Sequence, residues 1–120
     1  MNNPYEQQPR TLEEAEGTVK IYEAFDRLKK TADFKLVFED HLFTNEVIRL
    51  HSLLAHPEQS IIDSRDKIIA DLDALSNIKF SLLMIEKIGE MTKQQLDEYR
   101  EAQFAAEQEA MEASLDAEGE

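Results

Sequence analysis

Three histidines, His41, His51 and His56, are the residues most suited to metal chemistry, and only His51 and His56 lie close together in the chain. A helical zinc pair sits four residues apart on one face, whereas five residues separate these two, so on a helix they diverge by more than a quarter turn. There is no cysteine to complete a site. His41 and His51 are expected as interfacial or half-buried helix residues, and His56 as a turn or C-terminal cap residue beside Pro57. Carboxylate pairs such as Asp63 with Asp66, or Glu39 with Asp40, would do acid–base work only in a desolvated cleft that splits their pKa values. The pattern supplies no such cleft, and a solvated face is the expected place for them. Ser52, Ser60, Ser64, Ser76, Ser81 and Ser114 stand in helical contexts without the strand-to-helix elbow that exposes a catalytic hydroxyl. The glycines, Gly17, Gly89 and Gly119, are isolated, which excludes a glycine-rich phosphate loop. The sequence therefore predicts no enzyme, no catalytic residue, no metal and no cofactor.

What remains is a scaffold rich in helix formers. With 120 residues there is room for one domain, and 3 Gly with 3 Pro leave few turns, which favours few, long helices. The absence of Cys fits a reducing compartment. No apolar run approaches the ~20 residues that span a bilayer, and the opening Met1-Asn2-Asn3-Pro4-Tyr5 is not that of a signal peptide. The expectation is a soluble, cytoplasmic protein. The formal charge is −13, unevenly spread: residues 1–60 carry 11 acids and 7 bases (−4), 61–100 carry 8 and 6 (−2), and 101–120 carry 7 and 0 (−7). Without a basic stripe to release counterions, direct nucleic-acid binding is not expected, nor is an anionic membrane surface.

Residues 1–10, with Pro4 and Pro9, read as a flexible arm. Thr11-Leu12-Glu13-Glu14 fits a capping box, so a helix is predicted from there. Leu12, Ala15, Val19, Tyr22, Phe25 and Leu28 give it one apolar stripe that fades at Lys29-Lys30. Gly17 costs about 1 kcal/mol relative to Ala and predicts a frayed first turn or two. Thr31 or Asp33 can cap a second helix carrying Phe34, Val37, Phe38, His41 and Leu42. Thr44 or Asn45 can cap a third, with Val47, Ile48, His51 and Leu54 inward. Residues 33–55 are equally compatible with one bent helix. Proline at 57 ends this part.

From Ser60 onward nothing interrupts a long pattern. Ile61, Arg65, Ile68, Leu72, Leu75, Ile78, Leu82, Ile85, Ile88, Thr92, Leu96 and Tyr99 form a seam at spacings of three and four. A helix over 60–105 would be about 70 Å long, against a radius of gyration near ~14 Å for a globule of this size. Part of it must project, kink at Gly89, or pack on another chain. Around residues 78–91 it is apolar on most sides, through Ile78, Phe80, Leu82, Leu83, Met84, Ile85, Ile88 and Met91, as a buried helix is. The expected architecture is all-α, with three shorter N-terminal helices packed on one long C-terminal helix: a flexible arm over 1–10, a helical domain over 11–105 and an acidic disordered tail over 106–120. Leu72, Leu75, Ile78, Leu82, Ile85, Ile88 and Leu96 are the candidate interaction surface, for protein partners and first of all for a homo-oligomer.

From Asp33 the chain resembles small helical proteins encoded among the virion-structure and DNA-packaging genes of tailed bacteriophages. The resemblance rests on Asp33-Phe34-Lys35-Leu36-Val37-Phe38-Glu39, Glu46-Val47-Ile48-Arg49-Leu50, the break His56-Pro57-Glu58-Gln59, Arg65 to Leu75, and Gly89-Glu90-Met91 to Glu98-Tyr99-Arg100-Glu101. It covers over half the chain. It implies a non-enzymatic oligomer acting in capsid or tail assembly or in genome packaging, in the host cytoplasm or the virion. Two other classes remain open on the acid content: a DNA mimic that inhibits a host nucleic-acid-binding protein, and a scaffold or chaperone for a basic client.

Overall fold

The computed structural model describes residues 11–118, and every element among them is helical. The arm expected over residues 1–10 and the last two residues of the tail lie outside the described residues. Helix α1 spans Leu12–Lys29, α2 Ala32–Phe34, a π-helix Lys35–Glu46, α3 Val47–Leu54, α4 Gln59–Asp63 and α5 Arg65–Glu118. The body is slender, 92 × 39 × 17 Å with a radius of gyration of 24.0 Å.

Helix α1 starts where the capping signal places it: the Glu14 amide donates to the Thr11 hydroxyl at 3.1 Å, and Thr11 itself is extended. Gly17 does not fray it, since the helix runs unbroken from Leu12. The Thr31 hydroxyl caps the next helix by accepting from the Phe34 amide at 3.1 Å. Thr44 caps nothing; its hydroxyl donates to the Glu39 carbonyl at 2.8 Å, five residues back. Residues 32–54 are thus one continuous rod of α, π and α windings.

A row of rings accompanies the twelve-residue π-helix. Phe25 meets Phe34 edge-on at 5.7 Å, Phe34 stacks on Phe38 at 4.7 Å, and Phe38 lies 6.1 Å from Phe43. On an α-helix the nine residues from Phe34 to Phe43 would be two and a half turns, with the two rings on opposite sides. Hydrogen bonds that reach five residues back widen the turn and bring positions 34, 38 and 43 into line. Side-chain phase shifts with it. Ile48 and His51, expected inward, are exposed, while Leu50 takes the buried place in α3.

Helix α5 is unbroken for 54 residues. Its start is later than expected, because α4 closes at Ser64, whose hydroxyl donates to the Ser60 carbonyl at 3.0 Å. Its end is also later: the segment expected as a disordered tail from 106 is helical to Glu118, in keeping with its run of Ala and Glu, both strong helix formers. Nor does it break at Gly89. That glycine is where α1 comes closest, and a Cβ placed there would fall on the Tyr22 side chain, 2.8 Å from its Cδ2.

Candidate interaction surface

Two clasps hold the shorter elements to α5. Helix α1 runs antiparallel to residues 86–100: Lys29 pairs with Glu86, Tyr22 covers Gly89, Glu23 faces Lys93 at 3.8 Å and Glu16 faces Arg100 at 3.5 Å. Between those flanking ion pairs lie the buried Val19, Thr92 and Leu96. Farther toward its start, α5 packs Ile68 and its neighbours against the rod, where Leu50 and Phe34 are buried. Burial is thin; no large side chain among the described residues is completely enclosed.

The seven seam residues divide accordingly. Leu96 is buried under α1, and Leu72, Leu75, Leu82, Ile85 and Ile88 are half-buried. Ile78 is 43% exposed. The seam expected to meet another chain is thus largely turned toward this chain's own helices. Other apolar side chains of α5 are exposed: Leu83 at 50%, and Ile69, Phe80 and Met91 with it. Phe80, Leu83 and Met91 belonged to the segment whose apolar residues go all round the helix, and that excess was the signal for them. Helix α1 and the rod grip α5 on either side of residues 78–84 and do not wrap it.

Beside the second clasp lies a groove of roughly 510 Å³, lined by Phe43, Val47, Leu54, Ile69, Leu72 and Leu75. His51, Asp73, Ser76 and Lys79 form its rim. A smaller groove of roughly 320 Å³ separates Leu12 and Ala15 from Leu96 and Tyr99. Beyond residue 100 the helix is open: residues 101–117 are all exposed. Phe104, Met111 and Leu115 lie there at 62%, 67% and 61% exposure. Spaced by seven and four, they share one stripe.

The titratable groups form ion pairs on the surface. Lys30 hydrogen-bonds Asp26 at 3.0 Å and holds its carboxyl below the usual carboxylate range. Glu86, hydrogen-bonded to Lys29, raises that ammonium. Arg49, 2.5 Å from Glu46, lowers that carboxyl and is itself raised. His41, His51 and His56 are exposed, as are Glu39, Asp40, Asp63 and Asp66. Among the described residues no three His, Asp or Glu gather closely enough to hold a metal ion, no buried side-chain polar atom lacks a partner, and no helix is long and apolar enough to cross a membrane. The chain matches no protein-family model, no curated protein and no solved structure.

Proposed function

We infer that this chain is a non-enzymatic, helical assembly module that acts as a homo-oligomer through α5. The observation that carries this reading is the exposed apolar stretch between the two clasps. Ile78 and Leu83 are about half exposed in the first half of a 54-residue helix; fully burying such a side chain is worth ~1.5–3 kcal/mol, of which roughly half remains to be gained at each. Among the described residues the short helices are already engaged on either side, which favours cover from another chain. The phage-like segments of the sequence are what assign the module to virion assembly or genome packaging.

The test is to replace Ile78 and Leu83 together by Asp. Both are exposed in the single chain, so the helical circular dichroism should persist while the light-scattering mass falls to the 13.8 kDa of one chain. An oligomer of unchanged mass would refute self-association through this stretch.

A further inference from the structure

The C-terminal part of α5 and the groove beside Leu72 are two apolar features left open, and they have matching dimensions. From Ile69 to Lys79 the groove follows ten residues of α5, about 15 Å at 1.5 Å per residue. The stripe from Phe104 to Leu115 covers eleven, about 16 Å. In one chain the two cannot meet, because the straight helix holds Ser76 and Glu107 roughly 46 Å apart. Resting on the self-association proposed above, the geometry points to an occupant for the groove: the C-terminal arm of a second copy, seated as an amphipathic helix with its Phe104–Met111–Leu115 stripe inward.

Charge and register fix the orientation. Residues 101–120 carry seven acids and no base, so parallel arms would set like charges side by side. Antiparallel pairing avoids this. A two-fold axis level with Met91 and Thr92 puts Met111 of each copy level with Leu72 of the other, Phe104 with Lys79 and Leu115 with Ile68. The same register leaves Glu101 and Glu107 each within one turn of Lys79. Asp73, the acid on the groove rim, falls level with the uncharged Ala110. Both arms then dock at once, so the interface is isologous and closed.

Because the chain has no cysteine, single introduced thiols report the register without background. Ser76→Cys and Gln108→Cys, made in separate chains of different tag length, are mixed and oxidised gently. Residues 76 and 108 of opposite copies are within one residue of level and lie on the same edge of the contact, within the reach of a disulfide only if the arm is seated. The expected result is a mixed covalent dimer, on the order of tenfold or more above the yield of Gln108→Cys with Lys20→Cys, an exposed position on α1. Light scattering on the unsubstituted chain runs alongside. An oligomer that gives no mixed dimer, or gives as much with Lys20→Cys, overturns the seated arm while self-association stands; an arm engaged with a basic client would look like this. A chain that stays at single-chain mass overturns both.

Discussion

Residues 86–100 and residues 101–118 belong to the same unbroken helix, yet only the first stretch is clasped. Along it α1 lays the Tyr22 side chain over Gly89, covers Thr92 and Leu96, and adds flanking ion pairs from Lys29, Glu23 and Glu16. Along the second, residues 101–117 are all exposed, Phe104, Met111 and Leu115 among them. Helix propensity suffices to write both stretches. Only the first has a residue small enough, at the right place, to let another helix in. The contrast teaches that α5 is a single rod of two kinds, part core of its own chain and part exposed helix, which the proposed self-association would cover.

The sharpest way to break that contrast is truncation of a core side chain on each side of it. Leu96→Ala should cost about 2–4 kcal/mol of stability by leaving a void under α1, whereas Phe104→Ala should stay within about 0.5 kcal/mol in the isolated chain; urea denaturation at low protein concentration compares the two. Gly89→Ala is next. Its methyl group would overlap Tyr22 and should cost about 1–3 kcal/mol as α1 is pushed away. Gly17→Ala should do the reverse, because no atom lies within 4 Å of the added Cβ; a gain of about 0.5–1 kcal/mol is expected from helix propensity. Thermal melts of the two glycine variants should shift in opposite directions. Thr11→Ala removes the hydroxyl that caps α1 and should cost about 1 kcal/mol, read as loss of helicity and stability together.

The smallest effects are electrostatic. Asp26 and Glu46 have carboxyls lowered by Lys30 and Arg49 respectively. Each therefore binds protons less readily folded than unfolded, so its contribution is present at neutral pH and is lost as the pH falls through and below the ordinary carboxylate range. The Lys29 ammonium, raised by Glu86, contributes up to alkaline pH and loses its effect as the pH rises through its elevated value. All are surface pairs, for which salt should weaken what little they add. A stability-against-pH curve for Glu46→Gln should differ from the parent only slightly and converge with it in acid.

The helices themselves could be read from three- and four-residue spacings and from threonines. Thr11 and Thr31 are the caps the sequence indicated. Helix phase was less accessible between residues 35 and 54. Every inward or outward assignment there assumed 3.6 residues per turn, and a π winding slides the later positions round the axis, so that Leu50 rather than Ile48 faces α5. The aromatic spacing of Phe34, Phe38 and Phe43, four and then five, was the one visible sign of that winding. Gly89 stood out in the sequence as a place for a kink, but a helix tolerates glycine where a neighbour needs the space, and only the partner, Tyr22, distinguishes the two roles. The exposed apolar stretch was legible as an excess of apolar residues around positions 78–91. Which of them the chain keeps for itself depended on where α1 and the rod settle, which no periodicity encodes.

The mass of the unsubstituted chain, followed by light scattering over a dilution series, tests the central claim most directly. The account predicts at least twice 13.8 kDa at the concentrated end, falling toward that value on dilution. A constant 13.8 kDa across the series would contradict it.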